Sequence, residues 1–375
     1  IANYPTLDFI NWGGDISWNS FEWATGDDKI TTYWQQHYNG IIAANTALPI
    51  IDRMQSQNVL DQQLASRLKG EVYFLRGFFY YHMASTFGGV PIELEPVPSG
   101  LNPRNTQDEV FAQVEDDLSK AASLLPWKED LPAEDLGRAT KGAALGYLGA
   151  AQLWLKKYSD AVATYNQLTG KYQLEEDYIN VHEYNNRNGK ESIFELQFLI
   201  PSGGNASWGK SNDAPWVQSF GMPEEITGMG YEYVDARLYH SFQAGDTRKL
   251  ATVIGPGDEH PSPLINIKDY ATVKAGFANG DPRYIGPGST IINTAGTVAR
   301  PWKGADAAMQ RSGYFGTKHW RDPKVDGGAV VFGDQNLIML RYAEVLISKA
   351  EAQFKAGDAG GAMASIQQVR DRAWG

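Results

Sequence analysis

Residues 68–92, LKGEVYFLRGFFYYHMASTFGGVPI, constrain this chain more tightly than any other stretch. Leu64, Leu68, Val72, Leu75, Phe79 and Met83 recur at steps of three and four and therefore line one face of a helix. Phe74, Phe78 and Tyr81 make a second apolar strip, so burial on more than one side is expected. Gly88-Gly89 stops the helix and Pro91 cannot continue it. Arg76 lies inside this apolar surface. An unpaired buried guanidinium is costly, so Arg76 should meet a carboxylate or backbone carbonyls. Taken alone, the stretch reads as a core helix with a glycine cap.

Helical periodicity falls into two blocks. In the first, helices are expected over 33–54, 61–86 and 106–125, with Thr106 and Glu109 at capping-box spacing. A helical hairpin follows over 139–156 and 159–169, turning at Lys157-Tyr158; the second block runs over 337–372. The blocks share a repeat. AQLWLKKYSDAVATY (151–165) aligns without gaps on AQFKAGDAGGAMASI (352–366), matching Ala151, Gln152, Ala161 and Ala163 to Ala352, Gln353, Ala362 and Ala364. Small residues let paired helices approach closely, which is tetratricopeptide-like patterning; any alanine-rich helical hairpin is the plainer alternative. The repeat predicts two antiparallel hairpins that superimpose with Ala151 on Ala352. Between the blocks, residues 201–334 are rich in glycine, proline, asparagine and aromatics. A structureless loop of that length is unusual, so short helices, a few strands and function are expected there. Residues 191–199 alternate partly like a strand, 231–243 suggest a short helix, and 1–32 are loop-like. The expected fold is mainly α: a tetratricopeptide-like helical-repeat scaffold (33–171 and 337–373) with loop-rich regions at 1–32 and 200–335, read as one domain.

Tryptophan follows the loops. Trp12, Trp18, Trp23 and Trp34 fall in the first 34 residues, and Trp208, Trp216, Trp302 and Trp320 fall in the loop-rich region. An aromatic ring presented from a loop offers a flat apolar face to the C–H face of a sugar, with polar neighbours for its hydroxyls. Asp15, Asn19, Asp27, Asp28, Asn205, Asn212 and Asp213 are such neighbours. The plainer role for any one tryptophan is to plug its loop onto the core. The expected ligand site draws on 12–23 and 208–233: Trp18, Trp23, Asn19, Asp27, Trp208 and Trp216, with Tyr231 and Tyr233 in support.

Other chemistries find little support. The chain has no cysteine, so disulfides, thiolate metal sites and cysteine nucleophiles are excluded. A net charge of −11 opposes nucleic-acid binding. No phosphate-binding, zinc-protease, nucleophile-elbow or dinucleotide fingerprint is present. His182-Glu183 lacks the second histidine of a zinc helix, and residues 186–191 fail the spacing of a calcium loop and read as a turn. Glu22, Asp27, Glu224 and Glu225 offer carboxylates, but no spacing selects a glycosidase pair. No catalytic residue, metal site or cofactor is assigned.

The helix at 68–92 also carries a family pattern. Glu71, Phe74, Leu75, Arg76 and Tyr80, followed by Phe87, Gly88, Gly89, Val90 and Pro91, resemble the SusD/RagB family of Bacteroidetes surface glycan-binding lipoproteins. Blocks at 102–126, 137–169 with 190–198, and 340–373 agree in the same order. The resemblance implies a non-catalytic outer-membrane lipoprotein that captures oligosaccharides and partners a SusC-like TonB-dependent transporter. It implies further chain at both ends, including a signal peptide and a lipid-bearing cysteine. A carbohydrate-active enzyme on a helical framework and a tetratricopeptide peptide-binding adaptor are the alternatives.

Overall fold

The structure, a computed structural model, describes residues 9–11, 24–98, 100–199, 216–217, 221, 232–234, 236–255, 258–265, 314–318, 320–321, 332–333 and 335–374. In chain order the elements are β1 (Phe9–Asn11), α1 (Asp28–Ser56), α2 (Gln62–Phe87), α3 (Gln107–Leu124), α4 (Lys141–Trp154), α5 (Tyr158–Asn166), β2 (Ser192–Leu196), β3 (Trp216–Val217) and β4 (Glu232–Val234). There follow α6 (Ala236–Ser241), α7 (Arg248–Thr252), β5 (Val253–Ile254), β6 (Phe315–Gly316), β7 (Phe332–Gly333), β8 (Leu337–Arg341), α8 (Tyr342–Lys355) and α9 (Ala359–Trp374). Short 3-10 turns lie at Lys128–Asp130, Ala133–Asp135 and Tyr178–His182.

The helices stack in sequence, α1 on α2, α2 on α3, α3 on α4 and α4 on α5; α8 then packs on α5 and α9 on α8. One apolar core runs through α1–α5, β2, β8 and α8. The fold is the mainly α, tetratricopeptide-like scaffold that the repeat predicts. Capping explains the helix starts. Asp61 accepts from the Leu64 amide, and Thr106 with Glu109 forms the reciprocal capping box. Helix α1 begins earlier than its periodicity suggests, because Asp27 caps it through the Lys29 amide.

Within α2 the two expected apolar strips are unequally buried. Leu64 and Leu75 are exposed, whereas Phe74, Phe78, Tyr80 and Met83 are buried. Neighbours on several sides select the strip that packs, and periodicity alone cannot rank two apolar strips. Arg76 meets its carboxylate. Its Nε and Nη2 donate to Asp117 at 2.9 and 2.6 Å, and Nη1 donates to the Asn45 side-chain oxygen at 2.8 Å. Asn45 then donates to the Glu93 and Glu95 carbonyls, and the Tyr80 hydroxyl donates to the Glu93 carbonyl. This buried network fixes the strand-like segment after Pro91 against α1 and α2. Gly88 ends α2 at φ +74°, and a Cβ on Gly89 would fall 2.0 Å from the Asn105 carbonyl oxygen.

The repeat is matched bond for bond in the predicted register. Helices α4 and α8 are superposed by the Ala151-on-Ala352 alignment, and so are the starts of α5 and α9. Thr164 donates to the Gln152 side-chain oxygen at 2.7 Å, and Ser365 donates to that of Gln353 at 2.8 Å. The turns repeat too: Lys157 N to Gln152 O and Asp358 N to Gln353 O are both 2.8 Å. Each turn needs one left-handed residue, Lys156 at φ +58° and Gly357 at φ +90°.

The expected second block differs at its start. Leu337–Arg341 is strand β8, which pairs antiparallel with β2, as Ser192↔Arg341 and Leu196↔Leu337. A short apolar run such as LIML fits strand or helix equally, and pairing with β2 decides it. At the head of this ribbon Glu191 is buried among three partners. It accepts from Arg341 Nη1 at 2.8 Å, Arg372 Nη1 at 2.7 Å and the Glu175 amide at 2.8 Å. Tyr178 packs its ring near both arginines and Lys318. Burial opposes ionisation there, but the charges of Lys318, Arg341 and Arg372 prevail and hold the Tyr178 hydroxyl below the ordinary phenol value.

Candidate ligand platform

Two strand pairs tie the loop-rich regions together. Strand β1 runs antiparallel to β4, with Phe9↔Val234, Ile10↔Tyr233 and Asn11↔Glu232. Asn11 and Glu232 pair at one end of this ribbon, so the segment that follows β1, which carries Trp18, and the segment between β3 and β4, which carries Tyr231, join the ribbon at the same end. Strand β3 pairs with β7, as Trp216↔Gly333 and Val217↔Phe332. Asp27 closes the other end of the first segment as the cap of α1.

Of the expected site residues, Asp27, Trp216 and Tyr233 have a described backbone position; for Trp216 and Tyr233 the side chain lies outside the description. Trp18, Asn19, Trp23, Trp208 and Tyr231 lie outside the described residues. The Asp27 carboxylate is engaged by the Lys29 amide at 2.9 Å. Trp320 takes the plug role. It is 1% exposed and meets the His260 ring at 4.7 Å. Trp34 lies on α1, edge-on to Phe87 at 5.1 Å.

Below the β1–β4 ribbon, Val234, Val253 and Tyr314 form a small apolar cluster with Leu238, Tyr239 and Phe242. The Val234 amide donates to the Tyr314 carbonyl at 2.8 Å, which joins the ribbon to the β5–β6 pair. The expected helix over 231–243 is shorter, α6, because its first residues form β4. This lobe is clamped to the scaffold by buried polar contacts. Arg321 donates to Glu183 at 2.6 Å, to the Thr317 carbonyl at 2.7 Å and to the Ala251 carbonyl at 3.2 Å. Ser262 donates to the other Glu183 oxygen at 2.8 Å. Thr247 donates twice to the Ala373 carbonyl. Sequence reasoning weighed Glu183 only as part of a zinc fragment and missed the clamp, since its partner lies 138 positions away.

Two histidines are kept neutral inside the protein. Burial, with a smaller push from His37, lowers His82 to about 4, and burial with the Arg321 charge lowers His260 to about 3. Unfolding returns both to about 6.5. Between pH 6.5 and 4 the unfolded chain thus binds more protons, so stability is present above pH 6.5 and falls as the pH falls. The melting temperature is expected to drop steadily from pH 7 to 4.5, and less steeply in His82→Leu. Equal slopes for parent and variant would contradict this assignment.

Among the described residues no three His, Asp or Glu side chains are grouped to hold a metal, and no helix is long and apolar enough to cross a membrane. The arrangement is a helical-repeat scaffold on which the β1–β4 ribbon joins the two loop-rich regions. Comparison with known proteins agrees with this class. Residues 8–153 match the family model described as starch-binding associating with outer membrane, and residues 190–374 match the SusD family model. The chain belongs to the SusD/RagB family. It is 23% identical over 378 residues to SusD-like protein P2 of Formosa agariphila, covering 95% of this chain and 65% of that one. It thus spans somewhat less than two thirds of that relative. The solved structure of a laminarin-binding SusD-like protein superposes with a TM-score of 0.68 at 24% identity, over 91% of this chain and 70% of the other. A structure solved with xylogluco-oligosaccharide superposes at 0.71 and 19% identity, over 98% and 69%.

Proposed function

We propose that the protein is a cell-surface oligosaccharide-binding protein of the outer membrane, which captures glycan for import by a SusC-like TonB-dependent transporter. The observation that carries this reading is the β1–β4 register, which joins the two loop-rich regions, with the segment that carries Trp18 and Trp23 and the segment that carries Tyr231 meeting the ribbon at one end. Family membership, and two structural neighbours, one laminarin-binding and one solved with xylogluco-oligosaccharide, support it. Trp18, Trp23, Trp208 and Trp216 stack on sugar rings, Asn19 and Asp27 take hydroxyls, and Tyr231 and Tyr233 extend the platform. The protein binds without cleaving, and an N-terminal lipid holds it to the membrane.

Calorimetric titration with a bound oligosaccharide tests the platform. Losing a stacking tryptophan to alanine should cost about 2 kcal/mol or more, about 30-fold in affinity. A plugging tryptophan should lower thermal stability and leave affinity nearly intact. If Trp18→Ala, Trp23→Ala, Trp208→Ala and Trp216→Ala all stay folded and bind like the parent, the site lies elsewhere. Chromatography of the same glycan after long incubation should show no product; cleavage abolished by replacing one loop carboxylate would identify an enzyme.

A further inference from the structure

Away from the ribbon, the scaffold opens a cleft of about 530 Å³ between the 3-10 turns after α3 and the turns at 171–173 and 188–190. That volume lies within the range of small-ligand sites. Leu131, Leu136 and the Tyr172 ring supply apolar wall, and Gln173 and Asn188 supply amide groups. Three lysines line it, Lys128, Lys171 and Lys190, against one lining carboxylate, Glu129. Glu175 and Glu176 stand beside Lys190, so the cleft sets ammonium and carboxylate groups side by side.

The lysines are held in different ways. Lys128 donates to the Gly189 and Ser192 carbonyls at 2.6 and 2.9 Å, and the Glu195 and Glu175 charges also act on it. Lys171 pairs with Glu129 across an exposed edge, and Lys190 stands 3.7 Å from Glu175 and 3.9 Å from Glu176. The Lys171–Glu129 and Lys190–Glu176 pairs are solvent-exposed, and pairs of that kind are weak. Beside the cleft, the Lys171 and Lys141 ammonium groups lie 4.9 and 5.4 Å from the centre of the Trp127 ring. Apolar wall, amides for hydroxyls and ammonium groups for an anion together match a sugar that carries a negative group.

We propose that this cleft is a second carbohydrate subsite, which takes an anionic sugar residue, carboxylated or sulfated, of a captured glycan. It rests on the glycan-binding reading of the molecule but not on the ribbon platform. Two weak sites engaging one polymer would raise its retention through effective concentration.

Calorimetric titration with trigalacturonate, sulfated neocarratetraose and neutral laminaritriose tests it, using the whole chain and the Lys171→Gln/Lys190→Gln variant. Both altered side chains are partly exposed, and unchanged melting confirms the fold. At least one anionic oligosaccharide should bind the parent, and the arm that binds tells carboxylate from sulfate. The variant should bind it at least tenfold more weakly, with a shallower dependence on sodium chloride, since screening acts on exposed charge. Laminaritriose should not distinguish parent from variant. The proposal is overturned if neither anionic oligosaccharide binds, or if the variant binds it as the parent does. If the tryptophan variants leave all binding intact while the lysine variant loses the anionic sugar, the ribbon platform falls and this subsite stands.

Discussion

Glu191→Ala should destabilise the protein by about 3–5 kcal/mol, the range found when one partner of a buried ion pair is removed. The carboxylate is 1% exposed and receives two guanidinium groups and one amide. Its loss leaves Arg372 buried without its anion and also frees Arg341, whose side chain keeps partial access to water. The effect should be large because Glu191 joins three parts of the chain: the turn at Glu175, the start of α8 and the end of α9. Urea unfolding measures it. Glu191→Gln keeps an oxygen for hydrogen bonding but no charge, so it should fall between parent and alanine. An alanine variant within about 1 kcal/mol of the parent would show that the arginines find other anions.

Asp117→Ala should be of similar size, about 3–5 kcal/mol, because it strands Arg76 in the core. The expected signature is in the double variant. Arg76→Met/Asp117→Leu removes both charges and refills the volume, so it should recover much of the loss. It should also loosen the segment at 91–95, since Asn45 loses the guanidinium that holds its side chain in place to donate to the Glu93 and Glu95 carbonyls. Faster amide exchange over that segment, with global stability largely restored, would separate the positioning role of the network from its energetic one. A double variant no more stable than the single one would show that the pair is not coupled.

The scaffold was legible because it is made of local signals. Thr106 and Asp61 announce their helices through short-range hydrogen bonds, and the Gln152–Thr164 bond lies within one hairpin, so its copy at Gln353–Ser365 can be found by sliding the sequence on itself. Arg76 was legible in part: its chemistry demands an anion, but nothing local says that the anion is Asp117, 41 positions away. Strand β8 and the Arg321–Glu183 clamp were not legible, since both are decided by partners more than 100 positions distant. For the ligand platform, the sequence predicts a site that draws on 12–23 and 208–233; the β1–β4 register joins the two loop-rich regions at Asn11 and Glu232, while most of those ranges lie outside the described residues. The lysine-lined cleft left no motif. Its walls come from three separated turns, each unremarkable as a string of residues.

The bond-for-bond repeat also bears on how this chain tolerates change. Helices α5 and α8 touch directly, although one ends at Asn166 and the other begins at Tyr342. Everything between them is, to the solenoid, an excursion from a single joint. The entropy of closing a loop grows only with the logarithm of its length, so doubling one adds only about 0.6 kcal/mol. Lengthening the excursion therefore weakens the joint very little. The rate is affected differently: α8 cannot dock until the whole excursion has been synthesised and its ends have met, and distant contacts of this kind slow folding. Such a joint lets the excursion vary in length and sequence, with the cost falling mainly on the time the chain needs to fold.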